Sequence, residues 1–290
     1  MFSFCADPAA IEGLTWLSCY LTTGKHMAFY MSFLVVLVLL ALAAPAAMLF
    51  GFIGALACQS RLLLVRLLGQ GYITMVRGIP DIAFFLFVPV ALDQAFEFLR
   101  HKTFCSDITQ PVWQGNEFLV CDAAKLPLGT SPQWVHEVYG FLLALLAFAV
   151  VFGAFAGNTL RGAMRAVPVD QLQAAAAFGM SPRQIFWRVQ LPQMWIFALP
   201  GLSNLWMILV KATPLLFLLG IEDVVYWARE LGGSKTSAHS YPHGDWRLWY
   251  FLGLLVFYLT LTWLSEKFFA RLMSRLSFGQ TTLGGAEAVS

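Results

Sequence analysis

The chain has 290 residues, of which 59% are hydrophobic and 12% charged, with a formal net charge of +2 and a mean hydropathy of +0.70. Soluble domains carry about 25% charged residues, and no core of this size conceals such an apolar surplus, so a soluble enzyme is excluded. The near balance of 18 Lys and Arg against 16 Asp and Glu argues against a nucleic-acid binder, and the lack of charged low-complexity tracts argues against disorder. The chain belongs in a bilayer.

A membrane-spanning helix needs about 20 apolar residues. The first uncharged run, Met27–Ser60, is too long for one perpendicular span at about 1.5 Å per residue. It is read as tilted or kinked around Pro45, with its last turns emerging into water. A second span is placed between Gly78 and Leu99, on the uncharged heart Ile82–Leu92, with Asp93 and Glu97 at the far headgroups. The third, fourth and fifth lie over Val138–Leu160, Val189–Val210 and Leu248–Ser265. No basic n-region or small-residue cleavage site precedes the first run, so a cleaved signal peptide is not expected.

Five spans put the two chain ends on opposite sides, and the bias of Lys and Arg sets the orientation. Arg61, Arg66, Arg77, Arg161, Arg165, Arg183, Arg188, Lys267, Arg271 and Arg275 share one side with only Asp81, Asp170, Glu266 and Glu287. The opposite side is acidic, with Asp107, Glu117, Asp122, Glu222, Asp223 and Glu230 among its carboxylates. The expected fold class is therefore an all-α integral membrane protein of about five transmembrane helices, N-terminus outside and C-terminus in the cytoplasm. Residues 1–26 form an outer segment, 27–275 the membrane domain and 276–290 a cytoplasmic tail. The membrane domain carries an outer loop at 100–135 and a cytoplasmic loop at 161–192. Cys5 and Cys19 share the outer segment and Cys105 and Cys121 the outer loop, where an oxidising compartment permits disulfides. Cys105–Cys121 is the first pairing to consider; all-reduced cysteines are the alternative, because sequence alone does not fix pairing.

The cytoplasmic loop, Arg161 to Pro192, carries the clearest local signals. Pro168 suits a first helical turn, Asp170 complements the positive helix end, and Ala174–Ala177 are strong helix formers. Gly179 supplies a left-handed stop. Ser181 is a good N-cap, with Pro182 at the first helical position and Gln184 completing a capping box. Two short helices meeting at a sharp corner are expected.

This loop resembles that of the membrane permease subunits of bacterial ABC importers, marked by Glu-Ala-Ala-x3-Gly-x9-Ile-x-Leu-Pro. The chain has Gln173-Ala174-Ala175, Gly179 and then Val189-Gln190-Leu191-Pro192 at that spacing, with Gln for Glu and Val for Ile. Arg77-Gly78-Ile79-Pro80, Arg161-Gly162, Val167-Pro168 and Ala198-Leu199-Pro200-Gly201-Leu202-Ser203-Asn204 are similar to the polar amino-acid branch, especially its histidine, lysine, arginine, ornithine and opine permeases. The resemblance implies a type I importer permease fold in the inner membrane, and a pathway shared with a second, related permease subunit as a heterodimer. It further implies a cytoplasmic ATPase dimer that binds ATP and Mg and a periplasmic solute-binding protein. Gln173, Ala174, Ala175, Gly179, Leu191 and Pro192 then couple to the ATPase, the small residues allowing its surface to approach their backbone. Gln173 keeps the reach of Glu without the charge, which removes an ion pair at that point. The outer loop is longer than many relatives need and docks the binding protein on this reading.

No Gly-x4-Gly-Lys-[Ser/Thr] phosphate cradle occurs, so the energy source is another chain and no cofactor is expected in this one. Asn158, Asn204, Lys211 and Thr213 are the candidates for the substrate pathway. Asn204 and Lys211 are seven residues apart and share a helix face, and a lysine inside a span is costly unless it faces a partner or a wet cavity. Lys211 either meets a substrate carboxylate or an internal acid there, or it extends to a headgroup. Pro214 removes a backbone hydrogen bond and opens the helix nearby. Asn158 stands where an acidic residue is common in the family, and either lines the path or bridges helices. Glu222 and Asp223 either attract a cationic solute or end a solvated loop, and Arg77 either pairs with Asp81 or anchors the inner surface. His239 and His243 have metal-like spacing, but Pro242 between them breaks the helix that would align them. Two other classes remain to be weighed: a membrane enzyme using His101, His136, Asp107 and Asp122, and a self-contained secondary transporter, which usually shows internal repeats.

Overall fold

The computed structural model describes residues 5, 11–107 and 110–276, except the side chain of Asp81. Most of the expected tail, with Glu287, lies outside the described residues. In chain order the helices are α1 (Gly13–Leu21), α2 (Gly24–Ala57), α3 (Leu63–Gly78) and α4 (Asp81–Phe104). A two-residue antiparallel ladder, β1 (Trp113–Gln114) with β2 (Glu117–Phe118), precedes α5 (Gln133–Ala166), α6 (Val169–Ala177) and α7 (Pro182–Ile185). A π-helical run, Phe186–Gln190, leads into α8 (Leu191–Ala212), a 3₁₀ run Thr213–Leu219, α9 (Val224–Gly232) and α10 (Arg247–Leu276).

Among the described residues, five stretches are long and apolar enough to cross a membrane: Gly24–Ala57, Ile82–Phe104, Gln133–Ala166, Pro182–Leu219 and Arg247–Leu276. They overlap the five expected spans and mostly run past them, because polar residues at a span end remain helical where water is available. α2 continues through Pro45 without a break. The sequence reading assigned no helix to α1, α3 or α9; the longest of these, α3, carries Arg66 and Arg77. Its buried Gly69, Ile73 and Val76 are three or four residues apart, one face of a helix. Pro80 ends it: the residue before a proline is driven out of the helical region, and Ile79 sits at φ −114°, ψ 144°.

The chain divides into two compact units. The first comprises Met1–Ala43, Ile82–Ala147 and Ala212–Phe257, and polar bonds and disulfides hold it together. Cys5–Cys19 closes the segment before α2 and Cys105–Cys121 closes the outer loop. Tyr20 donates its hydroxyl proton to the carbonyl of Leu231 at 3.0 Å and lies 2.8 Å from His243 Nε2. Trp16, Tyr241 and Trp246 pack around the Tyr20 ring. His26 is fully buried between Thr23 and Tyr250, at 2.8 and 2.6 Å. Glu230 receives Lys25 at 2.8 Å and Lys235 at 3.0 Å, and the bond from Lys25 holds its carboxyl below the usual range.

Asp93 and Glu97, expected at the headgroups, have structural partners. Asp93 accepts the Tyr139 hydroxyl at 2.6 Å and Glu97 accepts the Leu126 N–H at 3.1 Å. His101 is buried, and its Nδ1 accepts the Cys121 N–H at 3.1 Å. That bond, beside a disulfide, makes His101 part of the loop's framework, and its nearness to two cysteine sulfurs is explained by their bond to each other.

The second unit comprises Ala44–Asp81, Phe148–Lys211 and Tyr258–Ser290. Here α2 and α5 touch almost backbone to backbone. A Cβ on Gly51 would stand 2.8 Å from the Gly157 nitrogen, and one on Gly157 would stand 2.9 Å from the Gly51 carbonyl oxygen. Small residues at helix crossings replace the missing hydrophobic drive with van der Waals contact. The Tyr72 hydroxyl donates to the Val150 carbonyl at 2.5 Å, tying α3 to α5. Ala55, Leu160, Ala163, Met164, Val167, Met194 and Ala198 form the unit's buried apolar cluster. Gly157→Val is expected to cost about 1–3 kcal/mol by overpacking this crossing. Gly71→Ala, where an added Cβ meets nothing within 4 Å, is expected to be neutral or slightly stabilising. Melting temperatures in detergent check both.

Candidate functional site: the α6–α7 corner and the outer face of α8

The loop between α5 and α8 folds as two short helices around a glycine corner. Pro168 falls just before α6 at ψ 127°, one residue earlier than expected, and its carbonyl accepts the Gln171 N–H at 3.2 Å. Asp170 is in the first turn. Gly179 has φ +79°, the left-handed conformation that only glycine adopts at little cost. Ser181 and Gln184 then form the expected capping box, with the Ser181 N–H donating to Gln184 Oε1 at 2.8 Å and the Gln184 N–H to Ser181 Oγ at 3.4 Å.

From Phe186 to Gln190 the chain is wound with i to i+5 bonds, ending with the Leu191 N–H on the Phe186 carbonyl. Pro192 follows and has no N–H to donate to the preceding turn, so the wider winding and the proline disrupt the same stretch of α-helical ladder. Gln190 Nε2 donates to the Met164 carbonyl at 3.2 Å, which pins the entry of α8 to the end of α5.

The corner presents most of the residues singled out for coupling. Gln173, Ala174, Gly179 and Pro192 are exposed and Leu191 is half-buried against the apolar cluster. Ala175 is the exception. It is buried within the chain itself, packed inward where its neighbours lie open. Phe178, which the sequence reading passed over, is 90% exposed, and Val169 and Trp187 are exposed as well. The available signal was an aromatic directly before the corner glycine, at the end of a helix too short to bury two faces.

The pathway candidates separate. Asn204, Ile208 and Lys211 are exposed at helical spacing along α8, and Phe197 and Pro200 continue the stripe toward its start. Lys211 lies in the last turn of α8, two residues before the 3₁₀ run Thr213–Leu219, which has Pro214 at its start. No salt bridge found among the described residues includes it. Asn158 bridges helices: its Oδ1 accepts Arg77 Nη1 at 3.0 Å, from α3 to α5. Thr213 is fully buried at the start of the 3₁₀ run. The enzyme candidates do not assemble, for His101 is committed to the Cys121 backbone and Asp122 to Lys125 at 2.9 Å.

Glu222 is exposed, whereas Asp223 is fully buried. Asp223 is the N-cap of α9, its Oδ1 accepting the N–H groups of Val225 and Tyr226 at 3.0 and 2.9 Å, while Oδ2 has no partner. Burial pushes its carboxyl up to about 6. It ends no solvated loop.

Among the described residues, five membrane-crossing stretches with an exposed two-helix corner at the entry to the fourth make this a multi-span membrane protein. Residues 45–277 match the family described as the binding-protein-dependent transport system inner membrane component. The chain belongs to that family. It is 30% identical to the histidine/lysine/arginine/ornithine transport system permease protein HisQ of Escherichia coli strain K12 over 234 residues, covering 80% of this chain and 86% of that protein. It is 29% identical over 204 residues to the arginine ABC transporter permease protein ArtQ of the same strain, covering 70% and 76%. The octopine transport system permease protein OccQ of Agrobacterium tumefaciens strain Ach5 is 28% identical over 223 residues, covering 77% and 78%. A crystal structure of an amino acid ABC transporter with histidines shares the fold, with a TM-score of 0.60 at 18% identity over 92% of this chain and 99% of that one. Nothing among these relatives supports a membrane enzyme or a secondary transporter.

Asp223 gives a pH dependence with a definite sign. The folded carboxyl keeps its proton to about 6, against an ordinary 3.8, so between those values the folded chain binds more protons than the unfolded one. Stability therefore falls as pH rises through that window, by about 2–3 kcal/mol. Asp223→Asn, which keeps the cap and drops the charge, is expected to flatten the profile. Amide exchange in α9 between pH 4 and pH 7 checks it.

Proposed function

We propose that this chain is the permease subunit of an ATP-driven importer for a polar, basic amino acid or opine. In this reading the α6–α7 corner seats in a groove of a cytoplasmic ATPase, with Phe178 as its apolar anchor and Gly179 letting the partner approach the backbone. ATP and magnesium belong to that ATPase. The stripe Phe197, Pro200, Asn204, Ile208 and Lys211 faces a second, related permease subunit across the pathway, where Lys211 meets a substrate carboxylate. A periplasmic solute-binding protein delivers the solute to the outer side, the side of the chain's N-terminus, of the 100–135 loop and of Glu222. Residues 161–192 form the coupling loop and 276–290 a cytoplasmic tail.

The observation that carries the reading is the corner itself: a capped, glycine-hinged knob with a 90% exposed phenylalanine. Phe178 is accompanied by exposed Val169 and Trp187 on the same short loop, and a group of uncovered apolar side chains supports an interaction site there. The relatives' printed functions support the solute class.

The test is uptake and ATP hydrolysis by the complex reconstituted with its ATPase and binding protein. Gly179→Asp is expected to abolish uptake and to cut the link between binding protein and ATP hydrolysis, while the chain still inserts. Gly179→Asn, whose side chain tolerates a left-handed backbone, is expected to block uptake too, because the obstacle is the partner's surface; normal uptake by either variant would refute coupling through this corner. Lys211→Met is expected to reduce uptake by about tenfold or more, the value of one lost charged hydrogen bond. Unchanged kinetics in that variant would remove Lys211 from the pathway.

A further inference from the structure

The first two turns of α3 overhang the second unit. The helix meets its neighbour at Gly69, where an added Cβ would stand 2.8 Å from the Ala57 Cβ and 2.9 Å from the Cys58 nitrogen. Beyond it Ile73 and Val76 are buried on the same face. Carried the other way, that face reaches Val65 and Leu62, and both are exposed. Every residue from 61 to 68 is exposed, with Leu62 at 68%, Leu64 at 70% and Leu68 at 67%. Ser60 Oγ accepts the Leu62 N–H at 3.2 Å and fixes the entry to this segment.

At 3.6 residues per turn, Leu63, Leu64, Val65, Leu67 and Leu68 spread over about 200° of the helix circumference, and Arg66 stands in the remaining gap. A protein partner covers one side of a helix. An apolar arc wider than half the circumference, with every residue of the segment uncovered, is wider than one partner surface covers, and for a membrane chain the medium that fits it is hydrocarbon, with Arg66 on the remaining side toward the headgroups. Arg61 and Arg66 are exposed, and among the described residues no salt bridge found includes either. Their stems reach out of an apolar layer while the guanidinium fork matches a phosphate group.

We propose that Arg61–Leu68 is a lipid-binding segment, with Leu62–Leu68 among acyl chains and Arg61 and Arg66 holding the phosphates of anionic phospholipid. The proposal is independent of the transported solute and of the ATPase.

The full chain in nanodiscs of mixed phosphatidylcholine and phosphatidylglycerol tests it. A nitroxide is placed at Leu64→Cys; the free cysteine already present, Cys58, is buried. Oxygen is expected to relax the label strongly and a water-soluble nickel chelate weakly. Strong relaxation by the chelate would place the segment in water, and protection from both would place it under protein, as a second copy of the chain would do; either result overturns the proposal. The headgroup assignment is read from phosphatidylglycerol retained on purification in mild detergent. Arg61→Gln with Arg66→Gln is expected to lower it relative to phosphatidylcholine by about fivefold for each arginine, and Arg61→Lys with Arg66→Lys to preserve most of it. An unchanged ratio in the glutamine variant would overturn that assignment. Should the glutamine variant fail to insert, the nitroxide measurement, made with both arginines in place, still decides whether the segment lies in lipid.

Discussion

The second unit depends on α2 and α5 meeting with almost no side chain between them. Inside a bilayer, apolar side chains gain little by leaving lipid for protein, so helices associate through close contact and through bonds that lipid cannot offer. Gly51 and Gly157 supply the closeness. The crossing sets α5, and α5 sets the rest: Leu160, Ala163, Met164 and Val167 at its far end pack with Met194 and Ala198 of α8. The Met164 carbonyl then fixes Gln190 at the entry to α8. The α6–α7 corner is thus held at both of its ends by elements that the glycine crossing positions.

The first unit is built on another principle. It relies on directional bonds, with a buried histidine between two hydroxyls, a glutamate between two lysines and a disulfide in each of two loops. Where the chain leaves the hydrocarbon, loops have backbone groups to satisfy and little apolar surface to bury. Polar pairing and covalent closure take over the ordering that close packing performs in the other unit. Asp223 shows the cost of this strategy, since it caps α9 from a buried position with one oxygen left without a partner.

Much of the candidate site was legible because its signals are local. The stop at Gly179, the capping box at Ser181 and Gln184 and the opening of the helix at Pro214 each rest on the chemistry of one to four neighbouring residues. The family spacing from Gln173 to Pro192 added a reading that local physics does not contain. Ala175 could not be placed this way, because an alanine that packs inward and one that lies open to a partner look the same in a short helix. Asn158 is similar: only the approach of Arg77 from α3 turns its amide into a bridge. Phe178 was passed over because hydrophobic residues are by default expected inside.

The sequence by itself determined that this is a membrane chain of five spans, with its basic loops on one side and a two-helix corner between the third and fourth. Those properties follow from composition and from short-range periodicity and capping, which act before any long-range contact forms. Only the tertiary structure decided which residues of the corner are open, that α3 exists as a helix with its first turns uncovered, and that Asp93, Glu97 and Asp223 are bound into the fold. Each of these turns on what lies across from a side chain, and that neighbour comes from residues distant in the chain, brought near by helix crossings and loop closures that no local pattern encodes.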